Sequence, residues 1–319
     1  MKYLITGFSG FVSKHFLDFL EEHGKQASVL GIDTQTPDFS ITHYKNIHCH
    51  YEKIDMLHKD DLENVMYQFQ PNCILHLASY SSVAYSWKNP VASFANNTNI
   101  FLNLLETIRL NNIPCRILSV GSSEEYGNVR ASNLPLTENS PVEPINPYAV
   151  ARVSQEMLSK VYIHGFDLDI IMTRSFNHIG PGQKEIFVVS SFAKQLTALA
   201  KKAAHQGQLR AGDITIVRDF IDVRDVVRAY FLLFEKGHSG EIYNVCNGRG
   251  RAISEIVDIM TGILNLKIKI EADLSLIRPT DNKALIGCNK KIKKHTGWDS
   301  KISLEKSLED ILSYWMKNQ

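Results

Sequence analysis

The sequence predicts an α/β protein, a doubly wound parallel sheet joined to a smaller, discontinuous α/β domain. Three observations carry this expectation. Short apolar runs alternate with segments of helical periodicity through the first half of the chain, which is how repeated strand–helix–strand units read. Gly7 and Gly10 stand between the first apolar run and the first helical segment, where a sheet strand turns into a helix. After about residue 176 the alternation loosens into scattered helices and turns.

Tyr3–Thr6 is the first strand, and Phe11–Glu22 repeats its apolar residues at helical spacing. Ser28–Ile32 is the second strand and ends at Asp33. Residues 47–50 read as a short strand, His58–Phe69 as a polar amphipathic helix and Cys73–Leu77 as an apolar strand. Val91–Leu110 is helical, Arg116–Val120 a strand, Tyr148–His164 a helix and Leu168–Thr173 a strand. The second half holds helices at Phe192–Lys202, Val223–Phe234, Ile253–Leu264 and Leu304–Lys317, and a strand at Glu241–Val245. This order assigns residues 1–175 and 222–246 to a nucleotide-binding domain and 176–221 and 247–319 to the smaller one.

The 319 residues are 44% hydrophobic, enough for a large core. Lys+Arg number 35 against Asp+Glu 34, and no basic stripe alternates with aromatics, which argues against a nucleic-acid partner. No apolar run reaches the length of a membrane span. The N-terminal glycines fit a turn better than a cleavage site, so no signal peptide is expected and the cytoplasm is the default. The cysteines Cys49, Cys73, Cys115, Cys246 and Cys288 are odd in number and include no CxxC, which predicts reduced thiols. Near His43, a strand places His48 and His50 on one face and Cys49 on the other, so no metal site is expected.

The stretch TGFSGFVS (Thr6–Ser13) is nearly a dinucleotide-binding turn. Glycine lets a backbone approach a diphosphate, and the amides that open the helix, around Gly10, Phe11 and Val12, would meet it. A tight turn without a ligand would use the same residues. Ser13 stands where such turns have a third glycine, whose task is helix–strand packing rather than phosphate contact. Serine is small, and its hydroxyl is expected to bond the carbonyl of Ser9. Asp33 ends the second strand, where a carboxylate accepts both ribose hydroxyls and repels a 2′-phosphate. Thr34, Gln35 and Thr36 supply no arginine for that phosphate, so NAD is expected over NADP.

Further stretches are IDM (54–56), HLAS (76–79), GSSEEYG (121–127), NPYAVAR (146–152), SFNHIGPGQ (175–183), RDFIDVRD (218–225), YNVCNG (243–248) and IRPTDN (277–282). With TGFSGFVS they resemble the extended short-chain dehydrogenase/reductases, in the nucleotide-sugar-modifying branch with its Rossmann fold. The resemblance is nearest to reductases of GDP-linked 4-keto-6-deoxyhexoses, with GDP-mannose 4,6-dehydratases as neighbours. It implies that Asp55 and Met56 sit at the adenine, and that Leu77, Ala78 and Ser79 lie near the cofactor's phosphates and ribose. It aligns Asn97 with an asparagine that steadies the active-site helix, whereas Ile100 and Phe101 replace a small Gly-Thr pair. It implies a homodimer built on the helices near 91–110 and 148–164, although their apolar faces would equally serve an ordinary core.

Tyr148 follows Asn146 and Pro147, a good helix start. As the acid/base group it needs help, since a free tyrosine ionises near pH 10. The family has lysine four residues on; this chain has Arg152. Lowering a tyrosine by three units takes about 4 kcal/mol, within reach of one cation in a dry site. Arginine is broader and planar, so two arrangements fit: Arg152 performs the lysine's task in shifted geometry, or it points to solvent. Ser122 is implied to bond the reacting sugar oxygen, although a strand-end serine also satisfies backbone. Glu124 matches the glutamate that removes the C5 proton in the dehydratases, yet the reductases also carry SSEEYG. Ser123, Asn177, His178, Lys194, Arg218 and Arg278 are implied to hold the sugar nucleotide. For His178 a packing role fits as well, for Lys194 plain exposure, and for Arg218 pairing with Asp219, Asp222 or Asp225.

The expected activity is hydride transfer at C4 of a GDP-linked hexose or heptose with NAD(H), as a C4 dehydrogenase or a 4-keto reductase, making sugars for surface polysaccharides. The alternatives are a GDP-sugar 4,6-dehydratase and a noncatalytic NAD or nucleotide-sugar binding protein.

Overall fold

The computed structural model describes residues 1–202, 206–277, 280 and 282–319. In chain order these form β1 (Lys2–Thr6), α1 (Phe11–Glu22), β2 (Ala27–Asp33), β3 (Ile47–Lys53), α2 (Lys59–Phe69) and β4 (Cys73–His76). Then come α3 (Val83–Lys88), α4 (Pro90–Leu110), β5 (Arg116–Ser122), α5 (Pro147–Phe166) and β6 (Asp169–Ser175). The chain continues through β7 (Asn177–Ile179), α6 (Val188–Lys201), β8 (Gln206–Ala211), β9 (Val217–Asp222), α7 (Val223–Lys236) and β10 (Ile242–Val245). It ends with β11 (Gly250–Ala252), α8 (Ile253–Leu264), β12 (Lys267–Ala272), β13 (Ala284–Leu285), α9 (Lys290–Thr296) and α10 (Leu304–Asn318).

Among the described residues, seven strands make one parallel sheet in the order β10-β6-β5-β4-β1-β2-β3. Its inner strands are short and buried on both faces, so they read as continuous apolar runs rather than alternations. Alternate residues feed separate layers. Tyr3 and Ile5 pack with Phe16 and Leu20 of α1 and Tyr230 of α7; Leu4 packs with Leu62 of α2 and Leu104 of α4. The chain runs outward from β1 through β2 to β3, then returns to β4 on the other side of β1. That reversal opens a crevice at the carboxyl ends of β1 and β4, where an open α/β sheet binds ligands.

After β6 the chain leaves this sheet. β7, β11 and β13 each pair with β9, β8 pairs with β12, and α6, α8 and α10 pack around Phe192, Phe220 and Ile256. The return through α7 is fixed by two aspartates of RDFIDVRD. Asp222 caps α7 at Arg224 N (2.8 Å) and accepts from Ser307 Oγ (2.6 Å). Asp225 accepts from the amides of Lys301 and Ile302 (2.8 Å each), which ties the C-terminal segment to the same helix.

Candidate active site

The turn after β1 is built for close approach. Gly7 has φ +69, and a Cβ there would lie 2.7 Å from the Ala78 amide nitrogen. Only glycine allows the β1 turn and the β4 end to meet. Ser13 is buried, and its hydroxyl reaches the carbonyls of Phe8 and of Gly10 (2.7 Å). This corrects the expectation of a bond to Ser9, because the turn folds Phe8 and Gly10 over the first turn of α1. Ser9 points elsewhere: its amide (2.9 Å) and hydroxyl (2.6 Å) both donate to Asp33 Oδ2, while Gln35 N donates to Oδ1. Phe11 and Val12 open α1, and the Phe11 ring stacks on His178 at 6.2 Å.

Across the crevice, Thr6 Oγ1 accepts from the amides of Leu77 (3.2 Å) and Ala78 (3.1 Å). Its own proton therefore goes to His76 Nδ1, 2.9 Å away. His76 is neutral: burial and then the Arg152 charge hold it down to about 3. Ser79 Oγ is buried with no partner. Asn97 accepts from Tyr80 N (2.8 Å) and so steadies the loop after β4. Asp55 caps the turn at Leu57 N (2.9 Å), and the neighbouring Met56 is buried. Ile100 and Phe101 are buried in the α4 layer, with Phe101 against His76.

The chemistry-bearing groups meet where β5 ends beside α5. Asn146 caps α5 at Ala149 N (2.8 Å) and donates to Glu124 Oε2 (2.9 Å). Tyr148 and Arg152 are one helical turn apart on the same face, and both are buried. Arg152 Nε donates to Tyr148 Oη (3.1 Å), and Nη1 donates to the Val120 carbonyl (3.0 Å). The arginine thus faces the tyrosine, and the solvent-pointing arrangement is not adopted. Ser122 ends β5; its Oγ accepts from Glu124 N (3.2 Å) and its amide donates to Glu125 Oε1 (2.6 Å). Ser123 is buried in the same turn.

Residues 4–311 match the family model described as GDP-mannose 4,6 dehydratase. The chain belongs to this family. It is 31% identical over 311 residues to the GDP-6-deoxy-D-mannose reductase of Pseudomonas aeruginosa, covering 98% of this chain and 96% of that protein. It is 27% identical to the GDP-6-deoxy-D-talose 4-dehydrogenase of Aggregatibacter actinomycetemcomitans, covering 100% of this chain and 98% of that one. The solved structure of RMD from Pseudomonas aeruginosa complexed with NADPH superposes with a TM-score of 0.87 at 30% identity, covering 100% and 99% of the two chains. Like these relatives, the chain is an enzyme of the nucleotide-sugar dehydrogenase/reductase type.

The remaining family positions are spread more widely. Asn177 and His178 lie on β7; burial keeps His178 neutral, at about 4, and its Nδ1 has no partner. Lys194 pairs with Glu185 (2.7 Å) on an exposed face of α6. Arg218 is buried on β9 and donates to the carbonyls of Val217 and Asn282 (2.9 Å each). Asp219 accepts from the amides of Asn247, Gly248 and Gly287; Asp222 pairs with Arg224 and Asp225 with Arg228. Arg278 lies outside the described residues. Among the described residues no cluster of His, Cys, Asp or Glu could hold a metal, and no helix is long and apolar enough to cross a membrane.

Sequence reasoning missed Thr6, Ser9, His76 and Glu125. Glu125 is buried between the Ser122 amide and Arg174, and Arg174 also binds Glu156 (2.9 Å). Two carboxyls thus share one guanidinium. Burial and then the Glu156 charge push Glu125 from 4.5 up to about 8. The folded state keeps a proton there that the unfolded chain has released, so this group costs stability as pH rises from about 5 to 8. Glu125→Gln preserves the acceptor for Ser122 and removes that cost. Thermal melts are expected to show a Tm advantage for Glu125→Gln that grows from pH 5 to pH 8; a pH-independent difference contradicts the assignment.

Proposed function

We propose that this protein is an NAD(H)-dependent oxidoreductase acting at C4 of a GDP-linked sugar, as a 4-keto reductase or C4 dehydrogenase. The observation that carries the reading is the buried contact between Arg152 Nε and Tyr148 Oη, set beside Ser122 at the end of β5. The names of the reductase and 4-dehydrogenase relatives support the substrate class.

The residues fit a dinucleotide. The Gly7 turn has no side chain to fill the approach, Ser79 Oγ is buried and unpartnered, and Asp33 stands at the end of β2. Gly7, Gly10, Phe11 and Val12 would hold the diphosphate, Asp33 the adenosine ribose, Asp55 and Met56 the adenine, and Leu77 to Ser79 the nearer phosphate and ribose. When bound, the nicotinamide supplies or accepts the hydride. Asp33 favours NAD, because a carboxylate repels a 2′-phosphate.

At the sugar, Tyr148 Oη gives its proton to the C4 oxygen in reduction and takes it back in oxidation. Arg152 stabilises the tyrosinate that reduction leaves and stays protonated throughout, so it holds charge without exchanging it. Ser122 Oγ donates to the same sugar oxygen. Asn177, His178, Lys194, Arg218 and Ser123 belong to the sugar-nucleotide side, formed by segments 176–221 and 247–319. Glu124 is bound by the residue that caps α5, which suits a positioning role better than abstraction of a C5 proton.

Purified protein with NADH and GDP-4-keto-6-deoxy-D-mannose is expected to consume NADH, and Tyr148→Phe to lower kcat by about 10²–10⁴. Conversion of GDP-mannose to a 4-keto-6-deoxy product would instead establish a dehydratase. Turnover surviving Tyr148→Phe would refute the acid/base assignment.

The apolar face of α4 and α5 is proposed to pair with a second copy. Val91, Phe94 and Leu102 on α4 and Val150, Met157 and Val161 on α5 recur at helical spacing, and several are exposed, Val161 by 58% and Val91 by 82%. A shallow cleft of about 400 Å³ runs between the two stripes. Paired about a two-fold axis, such a face would bury the same residues on both copies. Sedimentation is expected to show a dimer that Met157→Glu converts to monomer; a monomeric wild type contradicts the pairing.

A further inference from the structure

We infer that Gln155 is a positioning residue for proton transfer, anchoring the Arg152 guanidinium so that its Nε–H faces the Tyr148 hydroxyl. The inference rests on the reading of Tyr148 as the acid/base group and adds a member to that unit which the family motif does not contain.

The geometry is specific. Gln155 is 1% exposed and lies three residues beyond Arg152 on the same helix face. Its Oε1 accepts from Arg152 Nη1 at 2.7 Å. Its Nε2 donates to Ser119 Oγ at 2.7 Å and to the Val120 carbonyl at 3.3 Å. Only this amide orientation works. Turned over, the NH₂ would face a guanidinium N–H, and the oxygen would face the Val120 carbonyl. Ser119 and Val120 lie on β5, so the glutamine ties the arginine to the strand that ends at Ser122.

A guanidinium is planar, with its donors in fixed directions. Two acceptors hold Nη1 here, the Gln155 amide oxygen and the Val120 carbonyl. Together they fix rotation about the last bond of the side chain and therefore the direction of Nε–H. A lysine ammonium has three rotatable donors and no plane to orient, so it needs no such anchor. The glutamine is thus the counterpart of the arginine substitution.

Other titratable groups near the Arg152 charge come from three neighbouring elements. His76 on β4 is neutral, Glu125 in the turn after β5 has its carboxyl raised by burial, and Tyr230 on α7 is raised by burial as well. His76 and Tyr230 in their neutral forms put no charge beside the guanidinium, and Glu125 is engaged by the Ser122 amide and Arg174.

The test reads Tyr148 directly, without substrate, as the near-ultraviolet tyrosinate absorbance that Tyr148→Phe removes. Gln155→Met keeps the volume and loses both hydrogen-bonding functions. It is expected to raise the midpoint of that absorbance change by about one pH unit, a tenfold change in proton concentration. The alkaline limb of kcat with NADH and GDP-4-keto-6-deoxy-D-mannose, where Tyr148 has lost the proton it must donate, should move upward with it. Should Gln155→Met fail to fold, Gln155→Asn, one methylene too short to reach Nη1, is expected to give the same upward shift. In an Arg152→Lys background, Gln155→Met is expected to add no further shift, because the group it anchors is gone. An unmoved midpoint, or an equal shift in both backgrounds, overturns the inference and leaves Gln155 a purely structural residue. Failure of the acid/base reading would show separately, as turnover that survives Tyr148→Phe while the titration behaves as expected.

Discussion

A single buried contact organises the site: the Arg152 guanidinium against the Tyr148 oxygen, where β5 ends beside α5. A cation in a dry place must be surrounded by acceptors, and the fold supplies them from backbone and amide rather than from a carboxylate. The Val120 carbonyl and Gln155 accept from Nη1, which leaves Nε for the tyrosine. A carboxylate in their place would cancel the field that makes the arginine useful. The neighbouring carboxyls are engaged elsewhere: Glu156 is bound to Arg174 and Lys160, and Glu125, raised by burial, accepts from the Ser122 amide.

The sheet places this contact beside the nucleotide turn. Because β4 lies between β1 and β5, the Gly7 turn, the Thr6–His76 pair and the end of β5 come together at one edge of the crevice. Thr6 joins them by taking two amides from the β4 end and giving its proton to His76. The excursion after β6 then brings β7 to the same place, with His178 against the Phe11 ring at the start of α1. That stacked pair, with His15 against the Pro181 carbonyl, brings the start of α1 into contact with the segment after β6.

Much of this was legible in the sequence, and the rest was hidden for physical reasons. The inner strands were readable because both faces are buried, α1 because its apolar residues share one face, and α4 and α5 because their apolar residues recur at helical spacing over 20 residues or more. β12, KIKIEA, was missed because its lysines and half-exposed isoleucines sit in a two-stranded sheet with little core behind them. α9 was missed because only Ile292 and Thr296 of its basic sequence are buried, and α3 because it has six residues. At the site, the nucleotide turn and Asp33 could be named from their places after the first two strands, and Tyr148 and Arg152 through the family resemblance of NPYAVAR. The Ser9–Asp33 bond could not, since it depends on how the turn folds over α1. Gln155 did carry a signal, its place three residues from Arg152, but a helical glutamine acquires meaning only when the strand opposite it is known.

The central claim is that Arg152 does the electrostatic work of proton transfer at Tyr148. The most direct measurement is the single-turnover rate of hydride transfer in Arg152→Met, followed against pH with NADH and GDP-4-keto-6-deoxy-D-mannose. A loss of about 10²–10⁴ is expected, with nucleotide binding retained. A rate and pH profile equal to those of the wild type would contradict it.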